Sequence, residues 1–352
     1  MPTHRRAGRP ARLAGALMVL GVVALLAACG GGPSDRVRSA LVADGATQTG
    51  SGTTLTLYAY AVAKPAFDAV IPSFRHTPAG AGAEVRVSYG PSGEQSRKVA
   101  AGAHADVVSL AVEPDVTRLV DAGLVDPGWS AGPNHGAPFG SVVTLVVRRG
   151  NPKGVHDWAD LLQPGLEVVT PNPFSSGSAR WNLLAPYAAA SAGGAAPQAG
   201  VDYVSRLVRD HVRVQPASGR AASEAFLQGT GDVLVSQENE ALFLERQGDA
   251  VEHVTPAETI RVDSPVAAVN GGDPALARAF TAYLYSPVAQ DALAAAGFRA
   301  SDPEVASRYA AGFPLPQRLW TIGDLGGWPT VDAALFARDS GSIAGIYDSA
   351  TR

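Results

Sequence analysis

The chain has 352 residues, long enough for two lobes with a hydrophobic core in each. A hydrophobic content of 46% with only 17% charged residues excludes wholesale disorder. The formal charge of -4 leaves no basic footprint, which argues against nucleic acid as a partner.

The first segment reads as an export signal rather than as part of the fold. Arg5, Arg6 and Arg12 precede an apolar run from Leu13 to Ala27, too short for a spanning helix and ending in small residues. Leu26-Ala27-Ala28 leads directly into Cys29, the only cysteine in the chain. That ending resembles the lipobox of bacterial lipoproteins, which implies that Cys29 is lipidated and becomes the new N-terminus. The protein is then expected on the outer face of the cytoplasmic membrane or in the periplasm, held to the membrane by its lipid anchor. A single cysteine leaves no intrachain disulfide and no cysteine-based metal site. Residues 30–52, rich in Gly, Ser, Thr and Asp, read as a flexible tether.

The folded body begins with an alternating strand, Leu55 to Tyr60, followed by a helix from Lys64 to Phe74 with apolar residues at Phe67, Val70, Ile71 and Phe74. Glu84 to Ser88 is a second strand, Glu94 to Ala101 a helix, Asp106 to Ala111 a third strand and Glu113 to Ala122 a short helix. This β-α-β-α-β order predicts a parallel sheet whose strand ends face a crevice. Phe139 to Arg148 is a longer β-branched strand, and Val155 to Leu162 predicts a helix containing Trp158. A strand from Leu166 to Thr170 and a helix from Ala179 to Ala190 come next, then a loop at Ser191 to Gln198 and a helix at Val201 to Val208. His211 to Val214 and Asp232 to Val235 are strands, Ser223 to Leu227 and Ala241 to Arg246 helices. Val262 to Val269 predicts one strand, Pro274 to Ala296 a helix interrupted near Ser286-Pro287, and a region from Trp320 to Trp328 and a helix at Leu335 close the chain.

The stretch from Asn172 to Asn182 organises the rest. Pro173 and the paired Ser175-Ser176 stop a strand, Gly177 lets a ligand approach the main chain, and the following helix start leaves N–H groups unpaired. The helix start carries partial positive charge, so the turn suits an anion; plain capping by Ser175 or Ser176 is the competing reading. Four strand-to-helix junctions carry such residues: Ser92-Gly93, Ser176-Gly177, Ser218-Gly219 and Gln237 to Asn239. In a doubly wound sheet they lie where ligands bind, and two facing lobes can aim all four at one point.

At these residues the chain resembles the sulfate/thiosulfate-binding proteins of ABC importers, from about Leu55 to Tyr347. The marks are Ser88-Tyr-Gly-Pro-Ser-Gly-Glu-Gln95, Asp106-Val-Val-Ser-Leu-Ala111, Arg149-Gly-Asn-Pro-Lys153, His156-Asp-Trp-Ala-Asp-Leu161 and Thr170-Pro-Asn-Pro173. They continue with Ser175-Ser-Gly177, Ala179-Arg-Trp-Asn182, Gly231-Asp-Val-Leu234, Glu238-Asn-Glu-Ala241 and Tyr283-Leu-Tyr-Ser-Pro287. The resemblance implies an α/β, two-lobe periplasmic-binding-protein-like fold of type II, each lobe a sheet flanked by helices, with the ligand in the interlobe cleft. It implies lobe 1 at residues 53–136, lobe 2 at 137–240, and the second part of lobe 1, with hinge crossings, at 241–352. It also implies a monomer without a cofactor or metal, delivering inorganic sulfate or thiosulfate to ABC permease subunits.

In the family the dianion is held by backbone N–H groups and a few neutral side chains, without a counter-ion. Carried over by position, the donors are the main chain at Ala61 and Ser92, the Ser176-Gly177-Ser178 turn, the turn at Gly219 and Arg220, and Gln237. Ser178 stands where the family usually has Gly, which leaves the N–H intact. The Ser218-Gly219-Arg220 turn is one residue shorter than the family's Ser-Gly-Ala-Arg-Gly loop. Gln237 stands where the family has Trp; an amide also donates, but it is smaller and accepts as well.

Competing readings stay within reach of a test. Donor-only recognition suits a fully deprotonated dianion, whereas phosphate carries a proton near neutral pH and needs an acceptor. Phosphate or molybdate is therefore the runner-up, with Glu238 as the nearby acceptor candidate. A hydrolase using Ser176 lacks a G-x-S-x-G elbow and a base, and the seven His residues are scattered. Trp158, Trp181, Trp320 and Trp328 are expected in core or hinge packing, and Arg180 in an internal pair. His104 and Asp106 share a strand face without further ligands for a metal.

Overall fold

The computed structural model describes residues 53–350, which build two sheets flanked by helices. Cys29 and the stretch 30–52 lie outside the described residues. The first sheet arises from β1 (Thr54–Tyr60), α1 (Lys64–Phe74), β2 (Glu84–Gly90), α2 (Ser92–Ala100), β3 (Val107–Ser109) and α3 (Glu113–Asp121). β1 lies between β2 and β3 and runs parallel to both, as β-α-β crossovers require. Leu55, Leu57 and Ala59, on one face of β1, are fully buried.

β4 (Phe139–Arg148) enters the second sheet, which also takes β5 (Val168–Val169), β6 (Val212–Val214), β7 (Val233–Gln237), β8 (Val251–Val254) and β9 (Glu258–Ser264). Between them run α4 (Gly177–Ala190), α5 (Pro197–Arg206), α6 (Gly219–Leu227) and α7 (Glu238–Gln247). β5 is parallel to β6 and β7, while β4 is antiparallel to β7, β8 and β9. β10 (Val266–Ala268) then pairs antiparallel with β3, back in the first sheet. The chain ends through α8 (Pro274–Tyr283), α9 (Pro287–Ala295), β11 (Arg299–Ala300), α10 (Pro303–Arg308), β12 (Arg318–Trp320), α11 (Gly327–Val331) and α12 (Ser342–Ala350).

β4 joins the two cores. Phe139, at its start, packs edge-on against Phe67 and Phe298 in the first core, with ring centroids 6.1 and 5.1 Å apart. Val143, Leu145 and Val147 belong to the second core with Trp181 and Leu184. Burying each of these side chains stabilises the fold by about 1.5–3 kcal/mol, so β4 is anchored at both ends. A second crossing lies at Pro265, one residue between β9 and β10.

Several sequence expectations change. The single strand at Val262 to Val269 is two strands in different sheets, because Pro265 has no N–H for a ladder; its carbonyl accepts from Leu110 N at 3.0 Å. The helix predicted over Val155 to Leu162 is a short 3-10 turn, Trp158–Leu162. Asp157 caps it, Asp160 reaches back to the N–H groups of His156 and Asp157, and Pro164-Gly165 ends it. The division of the chain also shifts. Residues 241–264 and 318–350, expected in lobe 1, instead supply β8, β9, β12 and the α12 side chains Ile343 and Ile346 to the second sheet and its core. Of the returning segment, β10, α8 and α9 pack with the first sheet, where Leu276, Phe280 and Leu293 join its core.

Candidate functional site

The site grows from helix starts at the carboxyl ends of strands. After β5 the chain turns at Asn172, whose carbonyl accepts from Ser176 N at 2.9 Å and whose N–H bonds Pro216 O at 2.9 Å. Ser176 is the N-cap of α4, 3% exposed, yet its side chain makes no capping hydrogen bond. Plain capping, the competing reading, is not made by the Ser176 side chain, and Ser175 Oγ donates to Ala217 O at 2.9 Å and to Asn172 O at 3.3 Å. Gly177 and Ser178 open the helix, where N–H groups have no intrahelical acceptor. Both are buried.

α2 of the first lobe meets this turn. Gly93 N donates to Ser175 O at 3.1 Å, and Trp181 of α4 donates Nε1–H to Ala111 O, beyond β3, at 2.7 Å. The approach is close enough to require glycine. A Cβ on Gly177 would lie 2.9 Å from Ala111 Cβ, 3.0 Å from Val112 Cγ2 and 3.2 Å from Ser92 Oγ. Ser92 begins α2 and is 2% exposed. Its hydroxyl is fully used: Oγ donates to Asp115 Oδ2 at 2.6 Å and accepts from Ala111 N at 2.9 Å. Only its main-chain N–H remains to serve a ligand.

α6 brings the third junction to the same place. Ser218 caps it by accepting from Ala221 N at 3.1 Å, which leaves the N–H groups of Gly219 and Arg220 at the helix start. A Cβ on Gly219 would lie 2.8 Å from Val62 Cγ2 and 3.6 Å from Ser178 Oγ. Val62 follows Ala61 in the 3-10 turn after β1, so the junctions at Ala61, Ser176–Ser178 and Gly219 converge.

Gln237 ends β7 and is the N-cap of α7. It is 1% exposed, and neither its Nε2 nor its Oε1 has a hydrogen-bond partner among the described residues. A buried primary amide without partners costs about 1–3 kcal/mol, so it marks a place where a polar ligand group fits. Asn182 of α4 ties β7 to this turn: its Nδ2 donates to Val235 O at 2.7 Å and to Thr170 Oγ1 at 3.2 Å.

The charged groups nearby are engaged. Arg299 clamps Glu238 with Nε–Oε2 at 2.7 Å and Nη2–Oε1 at 2.8 Å, so both oxygens of the acceptor candidate are taken. Arg220 Nη2 lies 3.0 Å from Glu240 Oε2, an ion pair without hydrogen-bond geometry, while its guanidinium stacks 4.3 Å from the Phe243 ring centroid. Burial raises the Glu240 carboxyl above its usual range, and the Arg220 charge opposes that shift. Burial likewise pushes the Tyr60 phenol up; its Oη and Ser264 Oγ are 2.9 Å apart. Arg180 is paired internally, with Asp332 and with Pro173 O. Trp181 is fully buried and meets Trp328 edge-on at 4.8 Å. His104 Nε2 is 3.7 Å from Asp106 Oδ2, and no metal-binding cluster occurs among the described residues.

Sequence reasoning missed Asp115, Asn182 and Glu240. Asn182 sits four residues after Ser178, hence on the same helix face, and that spacing was the available signal. Asp115 and Glu240 act through long-range pairs that no local pattern encodes.

The family model described as bacterial extracellular solute-binding protein matches residues 55–299. The chain is 36% identical to a sulfate-binding protein of Synechococcus elongatus over 92% of this chain and 93% of that one. It is 35% identical to a thiosulfate-binding protein of Pseudomonas aeruginosa over 75% and 82%. Among solved structures it resembles the sulfate-binding protein SubI from Mycobacterium tuberculosis H37Rv, with a TM-score of 0.80 and 55% identity, covering 81% of this chain and all of that one. The chain belongs to the bacterial extracellular solute-binding proteins, among the relatives of the sulfate-binding proteins.

Proposed function

We propose that this protein is an extracytoplasmic receptor that captures sulfate in the cleft between its two sheets and delivers it to an ABC importer. The observation that carries the reading is the convergence of helix starts at Ala61, Ser92, Ser176–Ser178 and Gly219–Arg220. Each presents N–H groups or a hydroxyl rather than a free cation. A hydrogen bond to a charged group contributes about 1.5–3 kcal/mol, and several, fixed in advance, replace the hydration of a dianion. In this reading Ser92 and Arg220 act through their main-chain N–H groups, and the Gln237 amide adds a side-chain donor.

Glu238 bears on the choice of anion. A carboxylate held by Arg299 through both oxygens offers no good acceptor to a protonated phosphate, which leaves sulfate favoured. Thiosulfate is the second reading, supported by the Pseudomonas aeruginosa relative and by a Gln237 side chain smaller than Trp. The protein works as a monomer, without metal or cofactor, exported and anchored through lipid on Cys29. Calorimetric titration of the purified chain with sulfate tests the reading: saturable binding of one anion per chain is the expected result, and no heat or saturation at millimolar sulfate refutes it.

A further inference from the structure

The Arg220–Glu240 pair is unusual in its setting. Glu240 is fully buried, with Arg220 Nη2 3.0 Å from its Oε2 and the Ser223 hydroxyl of α6 as its other partner. Arg220 follows Gly219 at the start of α6, and Glu240 stands three residues after Gln237. Across the cleft, Tyr60, which precedes Ala61, feels the Glu240 charge. The other charges around α7 are committed elsewhere: Arg299 to Glu238, His253 of β8 to Glu245, and Arg148 of β4 to the carbonyls of Thr230 and Gly231. Glu224, one turn along α6, adds a further negative charge.

We infer that Glu240 sets the charge of the anion cleft: it cancels the Arg220 cation, so that the bound anion is held by dipoles alone and stays easy to release. This rests on the sulfate reading above. With Arg220 uncompensated, the cleft would gain one positive charge beside the anion. Every anion would then bind more tightly, a dianion most, and binding would become sensitive to salt. With Glu240 uncompensated, the opposite follows.

The test measures sulfate affinity by calorimetry for the purified chain, Glu240→Gln, Arg220→Met and the double variant, each at low and high salt. Glu240→Gln keeps the shape of the side chain and should bind sulfate about tenfold more tightly at low salt, a gain that shrinks at high salt. Arg220→Met should bind about tenfold more weakly or worse, and the double variant should fall between the two. A merely structural role would weaken both single variants. Glu240→Gln binding sulfate no more tightly than the parent, with an unchanged melting temperature, overturns the inference. If Glu240→Gln does not fold, the double variant decides: binding better than Arg220→Met supports the inference, and binding no better overturns it. Parent protein that fails to bind sulfate overturns both the inference and the reading beneath it, whereas a parent that binds beside an indifferent Glu240→Gln overturns the inference alone.

Discussion

Ser92 gives its hydroxyl proton to Asp115, Oγ to Oδ2 at 2.6 Å. The same oxygen accepts the Ala111 N–H, so Ser92 holds two strand-to-helix junctions of the first lobe in register. Asp115 is 4% exposed and also takes Arg118 Nη1 at 2.9 Å. Asp115→Ala therefore leaves the buried Ser92 hydroxyl without its acceptor and Arg118 with only Ser96 Oγ, at 2.8 Å. Chemical denaturation should show a loss of about 1–3 kcal/mol. A loss below the error of the measurement would mean that water replaces the carboxylate.

Gly177 and Gly219 test the contact between the lobes. The added methyl in Gly177→Ala meets Ala111, Val112 and Ser92, and in Gly219→Ala it meets Val62, all across the cleft. Overpacking costs about 1–3 kcal/mol, and here it falls on the closed form. Sulfate binding should weaken by about tenfold to a hundredfold, with small-angle scattering showing less compaction at saturation. Full affinity in both variants would place the anion away from these helix starts.

Acid should destabilise the protein through carboxylates that accept main-chain N–H groups. Asp160 is held below the usual carboxylate range, first by His156 N–H, and Asp324 likewise, first by the Thr321 hydroxyl. A depressed folded pKa contributes stability above the unfolded pKa, and that contribution disappears as pH falls through the folded value. Urea midpoints should drop in that acid window, and Asp160→Asn should shrink the drop. A pH-independent difference between the two proteins would contradict this origin.

The alternating and apolar runs made β1, α1, β4 and the four polar junctions legible, because period and turn chemistry are local. That the junctions at Ser92, Ser176 and Ser218 meet is legible only through the ordered motifs, since no spacing reports which lobes face each other. Pro265 was visible, but that it moves the chain between sheets depends on β9 and β10 finding different partners. Gln237 was identified as a candidate, yet its unpartnered burial is a tertiary fact. The return of residues 318–350 to the second core was unreadable, because β12 is only three residues long and its partner β9 lies far back in the chain.

The proposed lipid anchor depends on Cys29, whereas the export signal precedes it. Mass spectrometry of the membrane fraction should find a diacylglycerol-modified N-terminus at that residue, and Cys29→Ser should release the chain. Unmodified protein recovered only from the medium would contradict the anchor.

The most direct test of donor-only recognition is competition. Sulfate bound to the parent protein and to Gln237→Leu is displaced by thiosulfate, molybdate and phosphate in turn, followed by calorimetry near neutral pH. Sulfate, with thiosulfate the nearest rival, should outcompete phosphate by a wide margin. Gln237→Leu, similar in size but without a donor, should lose about 1.5–3 kcal/mol of sulfate affinity, roughly tenfold or more. Phosphate binding as tightly as sulfate, with Gln237→Leu indistinguishable from the parent, would contradict donor-only recognition.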